Sequence, residues 1–282
     1  MTIFYAMILN LNNNQDLKEV FDALEEAFVN TGIDFFLIGA QARDHWYQKG
    51  GKTSRETRDV DFAVLVGSQE EYNQVRHYLY EHKSYQGTKD NSFVMITPGG
   101  IQVDILPFGE IEIDEAVVMA GEGLNSIKVN GFMEVYKTGT YSIELGEGRI
   151  FKVATLPAII LLKFVAYDDR PEKRMKDAGD IANIIDNFFE LQSDHIYDHH
   201  ADIFTAAVDN MEMEEISAIA IGQDINSIIA ENYPLKARIL NILDKHLALL
   251  EESRFLRNML LTENDTIEKR AKLLQHIRDG II

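Results

Sequence analysis

The chain has 282 residues, 46% of them hydrophobic, which is enough apolar material for one large domain or two of ordinary size. It contains no cysteine, which excludes disulfides, thiolate metal sites and a cysteine nucleophile, so that any bound metal must have oxygen or imidazole ligands. The formal net charge of −19 argues against a general nucleic-acid binder, because contacts to phosphate supply most of that affinity.

The positions of the basic residues and the lengths of the apolar runs bear on the ligand and on the location of the protein. Ten of the 27 basic residues fall in two short segments, Arg43 to Arg58 and Lys163 to Lys176, which predicts a local anion site on an acidic protein. No apolar run approaches the roughly 18 residues that a membrane span needs, and the opening segment lacks the features of a signal peptide. We therefore predict a cytoplasmic protein with no membrane partner.

The first elements alternate between helix and strand. Apolar residues at helical spacing from Leu17 to Phe28 predict a helix that ends at Thr31-Gly32. The short apolar run Asp34 to Ile38 predicts a buried strand, followed after a Gly39-Ala40 turn by a helix that extends to about Tyr47. A second strand is expected from Asp59 to Val66.

A helix and a hairpin follow. Ser68 with Glu71 three residues later has the pattern of a capping box, which predicts a helix from Gln69 to about Lys83. Two β-rich runs, 91–97 and 101–106, flank a Pro-Gly-Gly turn and predict a hairpin.

The second half of the chain becomes helical. Alternating stretches beginning at Tyr141 and Arg149 predict two more strands, whereas Ala158 to Ala166 predicts an apolar helix and Lys176 opens another. The pattern is helical from there almost to the end of the chain. We predict an α+β fold in which a mixed sheet flanked by helices is followed by a helical C-terminal domain, with domains at 1–154 and 155–282.

Three acids on the predicted strands indicate a cation site. Asp59 and Asp61 are two residues apart, so their side chains project from the same face of a strand. Two carboxylates about 4 Å apart repel by roughly 4 kcal/mol at an effective dielectric near 20, and a cation relieves that repulsion. Asp104, on the second strand of the hairpin, is a third acid that we expect to converge with them. The alternative is that these acids occupy solvated strand ends.

An anion site is predicted beside these acids. The backbone N–H groups at Gly39 and Ala40 begin a helix, where the positive end of the helix dipole favours phosphate. Basic side chains at Arg43, Arg55 and Arg58 are placed to neutralise the rest of a triphosphate. A carboxylate cluster opposite this turn suits Mg²⁺.

These segments resemble a known superfamily. The motifs are IGAQARDHW, SRETRDVDFAV and IQVDILPF. They are similar to the nucleotidyltransferase superfamily with the DNA polymerase β-like core, whose signature is a Gly-[Gly/Ser] turn, an Asp-x-[Asp/Glu] strand and a third Asp on a later strand. The motif from Arg55 to Phe62, together with the Lys-Asp-x-x-Asp motif from Lys176 to Asp180, resembles the AbiEii-type toxin branch of bacterial toxin–antitoxin and phage-defence systems.

The resemblance implies an activity and a set of site residues. It implies transfer of a nucleoside monophosphate from an NTP to an acceptor hydroxyl with Mg²⁺ or Mn²⁺, and a cognate antitoxin as a partner. The implied metal ligands are Asp59, Asp61 and Asp104, the last of which also activates the acceptor. The triphosphate would lie on Gly39. The supporting residues, on helices that close the cleft, would be Lys163, Lys176 and Asp177.

Several alternatives remain at the level of sequence. Ala40 stands where many members have Ser or a second Gly, and eighteen residues separate it from Asp59. This departure motivates the alternative of a catalytically inactive nucleotidyltransferase-fold protein that binds a nucleotide or a protein partner. The acceptor is open between tRNA, a protein and a small molecule such as an antibiotic. The Lys176-to-Asp180 segment can also be read as a capped helix start, in which early Asp residues favour the helix dipole.

Two pairs of ring-bearing residues could have either a functional or a structural role. His195 and His199 share a helix face, and this spacing suggests a zinc site. They lack the Glu that follows the first His in the metalloprotease motif, and no further ligand is evident in the sequence. We therefore predict a surface helix. Trp46 and Tyr47 are candidates for stacking on a base, but we favour packing in the core.

Overall fold

The structure is a computed structural model that describes residues 15–52, 59–120, 123–144, 150–205 and 211–282. Contacts divide the chain into two compact units, one formed by Met1–Tyr136 and Thr140–Thr155 and the other by Lys137–Gly139 and Leu156–Ile282. Among the residues described, none of the helices combines the length and apolarity needed to cross a membrane.

A mixed sheet lies at the centre of the first unit. The strands are β1 (Asp34–Ile38), β2 (Val60–Leu65), β3 (Gln86–Gly87), β4 (Val94–Ile96), β5 (Gln102–Phe108), β6 (Ala116–Val118), β7 (Ser126–Lys128), β8 (Thr140–Glu144) and β9 (Ile150–Ala154). Over the described ranges, seven of them form one sheet in the order β3-β4-β5-β2-β1-β9-β8, while β6 and β7 pair separately. In the centre of the sheet, β2 runs antiparallel to β1 and parallel to β5, and β1 runs parallel to β9.

Aromatic residues cover both faces of this sheet. The helices of the unit are α1 (Gln15–Thr31), α2 (Gly39–Lys49), α3 (Gln69–Lys83) and α4 (Phe132–Thr138). Neighbours on β1 point to opposite faces. Phe35 stacks on Phe28 of α1 with ring centroids 4.2 Å apart and meets Phe62 of β2 at 5.8 Å. Phe36 meets Phe108 of β5 at 5.6 Å on the other face, where α4 also packs.

The structure confirms the predicted fold class, a mixed sheet flanked by helices with a helical C-terminal region. The predicted N-cap is confirmed, because the Ser68 hydroxyl accepts a hydrogen bond from the Glu71 N–H at 3.2 Å. Glu71 Oε2 accepts a hydrogen bond at 2.7 Å from the N–H of Gly67, the residue before the N-cap, and not from that of Ser68 as a capping box would have it. The predicted hairpin is the antiparallel pair β4 and β5. The short elements β6, β7 and α4 have too few residues to give a periodic signal, and the sequence did not predict them.

The second unit is helical. Its helices are α5 (Leu156–Asp169), α6 (Met175–His199), α7 (Met213–Ile228), α8 (Tyr233–Leu249), α9 (Arg254–Asn258) and α10 (Ile267–Ile281). Two glycines allow α7 and α10 to pack backbone against backbone: a Cβ on Gly222 would lie 2.2 Å from the Ile277 carbonyl oxygen, and one on Gly280 would lie 2.5 Å from that of Ile219. Only glycine fits at either position.

A buried arginine links α6 to α10. Arg270 is 1% exposed and binds both carboxylate oxygens of Asp186 at 2.6 and 2.8 Å, as well as Asp265 at 2.7 Å. Burial disfavours the charged form of Asp265, but its hydrogen bonds with Arg270 and the neighbouring backbone outweigh that cost and lower its pKa.

We expect Arg270→Met to destabilise the protein by about 3 kcal/mol, because it leaves two carboxylates without their cation. The folded-state pKa of Asp265 is lowered, so its contribution to stability is present above the unfolded pKa of about 4 and is lost as the pH falls through the lower, folded-state pKa. The free energy of unfolding of the variant should therefore fall less steeply with decreasing pH than that of the wild-type protein. Urea unfolding at several pH values measures both effects.

The matched control is Arg278→Met, also on α10, which removes an exposed ion pair with Asp244 of α8. We expect no measurable change in stability for this control, because solvent screens exposed ion pairs. Equal destabilisation by the two variants would contradict the role of the buried network.

Candidate functional site

The junction between β1 and α2 lies against a carboxylate. Ile38, the last residue of β1, pairs with Asp61 of β2, and Gly39 then starts α2 with a φ of +67°. A Cβ on Gly39 would lie 2.1 Å from Asp61 Oδ2. A side chain is therefore excluded at residue 39 both by the backbone angle and by the Asp61 carboxylate. Ile38 has no polar side chain with which to cap the first N–H groups of the helix.

A second carboxylate lies beside the first. Asp61 and Asp104 are direct partners on the parallel strands β2 and β5, so their Cα atoms are about 4.8 Å apart and their side chains share one face of the sheet. Gln102 Nε2 donates a hydrogen bond to Asp104 Oδ1 at 2.8 Å. Asp59 is exposed and lies two residues before Asp61, immediately outside β2. The structure thus brings Gly39, Asp61 and Asp104 together, in an arrangement that a cation would stabilise.

Two of the other predicted residues, Lys163 and Asp177, form an ion-pair cluster with Asp180 in the second unit. Lys163 Nζ on α5 lies 2.7 Å from Asp177 Oδ1 and 2.8 Å from Asp180 Oδ2, both on α6. Burial disfavours the charged ammonium, but the two carboxylates outweigh it and raise the pKa of Lys163. Within the described residues, Asp177 Oδ2 is buried without a hydrogen-bond partner. Lys176 is exposed at the start of α6.

The predicted anion-binding residues have different surroundings. Ala40 lies half-buried in the first turn of α2. The Arg43 guanidinium is buried and donates hydrogen bonds to Asp44 Oδ1 from Nε at 3.0 Å and from an Nη at 2.8 Å. Arg55 and Arg58 lie outside the described residues. Their roles in binding an anion, and that of Arg43, stay predictions.

Two aromatic rings of α2 belong to the core of the first unit. Trp46 is 4% exposed, and its indole N–H donates to the Ala154 carbonyl oxygen of β9 at 2.8 Å, which confirms the predicted core packing. His45 is buried, and desolvation together with the nearby Lys49 lowers its pKa to about 4. His45 is therefore neutral at pH 7 and does not add to the positive charge of the site.

The structure also shows a histidine cluster in the second unit that sequence spacing did not identify. The cluster is formed by His195 of α6 with His200 and with Asp224 of α7. His195 Nε2 lies 3.0 Å from Asp224 Oδ2, and His200 Nε2 lies 3.1 Å from Asp224 Oδ1. The partner carboxylate is 24 residues from His200, so local spacing gave no signal for it.

Comparisons with known proteins place the chain among nucleotidyl transferases. The sequence model of the family described as "Nucleotidyl transferase AbiEii toxin, Type IV TA system" matches residues 22–271. No curated protein matches the chain.

Similar solved structures have low sequence identity. The solution structure of the antibiotic-resistance factor ANT(2'')-Ia has 12% identity and a TM-score of 0.39, covering 81% of this chain and 95% of that chain. An antigenic nucleotidyltransferase-like protein from Paracoccidioides brasiliensis has 17% identity and a TM-score of 0.40, covering 68% and 92%. The crystal structure of ANT(2'')-Ia with adenylyl-2''-tobramycin has 14% identity and a TM-score of 0.37, covering 78% and 97%.

We expect Gly39→Ala to destabilise the protein by about 2 to 4 kcal/mol, because it combines a disfavoured backbone angle with a clash against Asp61. The control is Gly32→Ala, where φ is +69° but a Cβ would meet nothing within 4 Å. That variant should cost only about 1 kcal/mol, the backbone term alone. Chemical denaturation of both variants measures the difference, and equal costs would refute the close approach of Asp61.

Proposed function

The chain belongs to the AbiEii nucleotidyl transferase toxin family, and from that premise we propose that it transfers a nucleoside monophosphate from an NTP to an acceptor hydroxyl and releases pyrophosphate. The observation that carries the proposal is the position of Asp61 and Asp104 on neighbouring strands, with Asp61 in contact range of the start of α2 at Gly39. This arrangement combines a carboxylate pair with the N-terminus of a helix. Such a combination suits a metal-bound triphosphate.

The donor set fits a hard divalent cation. Asp61 and Asp104 offer carboxylate oxygens from adjacent strands, and Asp59 offers another from the exposed segment before β2. Oxygen ligands of this type are preferred by Mg²⁺ and Mn²⁺. These three acids would hold the ion. When bound, such an ion neutralises charge on the phosphates and on the leaving group.

The residues of the chain have separate tasks in the proposed reaction. The N–H groups at the start of α2 bind phosphate oxygens, and Gly39 lets the phosphate approach because it has no side chain. The acceptor hydroxyl oxygen forms a bond to the α-phosphorus while the bond from that phosphorus to the bridging oxygen breaks, and pyrophosphate leaves. Asp104 takes the proton of the hydroxyl. Alignment of the two substrates supplies much of the rate.

We also propose supporting roles for three residues of the helical unit, Lys163, Lys176 and Asp177. Lys163 is already held by two carboxylates, so its task is to fix the geometry of α5 and α6. Lys176 is exposed, and its charge is available to an anionic ligand.

The acceptor and the biological role also belong to the proposal. We propose that the protein acts in the cytoplasm as the toxin of a toxin–antitoxin pair, with a cognate antitoxin as its partner. The acceptor is a tRNA, a protein or a small molecule. Incubating the protein with labelled NTPs and each acceptor class identifies it, and growth arrest on expression, relieved by a neighbouring gene, tests the toxin role.

We expect Asp61→Asn and Asp104→Asn each to reduce transfer by about a hundredfold or more, because each removes a metal ligand and charge stabilisation in the transition state. Both variants should fold, since they relieve repulsion between the two carboxylates. The measurement is label transfer from an α-labelled NTP, with the melting temperature as the test of folding. Asp114→Asn, at an exposed turn, is the control and should keep full activity.

Two outcomes would overturn the proposed reaction. Full activity in Asp61→Asn would show that the carboxylate pair is not the metal site. Calorimetric binding of an NTP by the wild-type protein, without turnover on any acceptor, would instead support an inactive nucleotide-binding protein.

Two lysines of the helical unit should respond differently to substitution. We expect Lys163→Met to destabilise the protein by about 3 kcal/mol, because it leaves Asp177 and Asp180 without their partner. Lys176→Met should leave the unfolding free energy unchanged, because Lys176 is exposed at the start of α6. Urea denaturation of the two variants measures the difference, and equal losses of stability would contradict the role of Lys163 in holding α5 to α6.

A further inference from the structure

We propose that His195, His200 and Asp224 form a site for a divalent transition-metal ion of the Zn²⁺ type in the helical unit. The three ligand atoms, two imidazole nitrogens and a carboxylate oxygen, all lie within 4.8 Å of one another. They come from the C-terminal end of α6, the residue that follows it and the C-terminal half of α7. This site is separate from the carboxylate pair of the first unit and does not depend on the proposed transfer reaction.

The tautomer of His200 is set by a neighbouring amide. Gln223 Nε2 donates a hydrogen bond to Asp202 Oδ2 at 2.7 Å, which turns Gln223 Oε1 toward His200 Nδ1 at 2.6 Å. An amide oxygen only accepts, so His200 Nδ1 carries the hydrogen. Metal-binding histidines commonly have this arrangement, in which the nitrogen that does not bind the metal donates to an oxygen and fixes the ring.

The opposite nitrogen of His200 then requires a cation. In the neutral ring with hydrogen on Nδ1, the electron pair of Nε2 faces Asp224 Oδ1 at 3.1 Å. Two electron pairs at that distance repel unless a proton or a metal ion lies between them. His195 Nε2 approaches the same carboxylate, 3.0 Å from Oδ2 and 3.2 Å from Oδ1. Both imidazoles therefore direct a nitrogen at one point beside Asp224.

The spacing fits four-coordinate zinc. Nitrogen and oxygen ligands about 2.0 to 2.1 Å from Zn²⁺ are about 3.3 Å apart in a tetrahedron. The distances from one oxygen, Asp224 Oδ1, to His195 Nε2 and to His200 Nε2 are 3.2 and 3.1 Å, which is close to that value. His200 is buried and His195 is about one-third exposed, so the fourth position faces water. Two imidazoles with one carboxylate are typical zinc ligands, whereas Mg²⁺ prefers oxygen alone.

The backbone of α6 supports convergence of these ligands. Gln192 has a non-helical conformation, with φ −135° and ψ 26°, and breaks the helix three residues before His195. The turn after this break carries His195 and leads directly to His200. A bound ion would therefore join the separate end segment of α6 to α7.

The test is a Zn²⁺ titration of the full chain against a chromophoric chelator at pH 7. We use the Asp61→Asn, Asp104→Asn background, so that the carboxylate pair of the first unit does not contribute. The expected result is one Zn²⁺ per chain. Affinity should fall about a hundredfold or more in His195→Ala and in Asp224→Asn, each of which removes a ligand, and about 10- to 100-fold in Gln223→Leu, which removes the orienting hydrogen bond.

His199→Ala is the matched control, because His199 is an exposed imidazole of the same turn. It should bind Zn²⁺ as the parent does, and added Zn²⁺ should raise the melting temperature of the parent and of this control but not of His195→Ala. Co²⁺ should give the visible absorption of a four-coordinate ion in the same two proteins. The absence of stoichiometric binding in the parent, or loss of binding in His199→Ala with binding retained in His195→Ala, would overturn the proposal.

Discussion

The first unit depends on the contact between the start of α2 and the Asp61 carboxylate. This contact requires glycine at residue 39, because any Cβ would overlap Asp61 Oδ2. It also requires the register in which Ile38 pairs with Asp61 and Asp61 with Asp104. A slip of one residue would turn the acids to the opposite face of the sheet. The aromatic residues on both faces of the sheet prevent that slip, since each ring fits only its own side.

Sequence predicted the parts of this site that have local causes. Gly39, the strand before it and the acids on β2 and β5 gave signals over a few residues, as did the hairpin turn that places Asp104. The order of the strands did not follow from such signals, because β1 lies between β2 and β9 through pairing across more than a hundred residues. Residue type also did not reveal that the Arg43 guanidinium is paired with the adjacent Asp44.

In the second unit, α6 connects its neighbours through charged groups. Asp177 and Asp180 bind Lys163 of α5, and Asp186 binds Arg270 of α10. Each pair is partly or fully shielded from water, so each partner is costly to remove. Burial of hydrophobic residues between these helices is non-directional, whereas an ion pair forms only where its two partners meet. The charges thus add a specific contact between α6 and each of these two neighbours.

The acidity of the protein constrains how the proposed nucleotide site works. A chain of net charge −19 repels a triphosphate, and Asp61 and Asp104 add to that repulsion where they lie. A divalent cation held by these carboxylates would reverse the sign of this interaction, because it would neutralise them and bind the phosphates. Each ligand would then improve the binding of the other by the same factor, as linkage requires. On the proposed function, the carboxylate pair makes nucleotide binding conditional on the metal, and the free triphosphate is excluded.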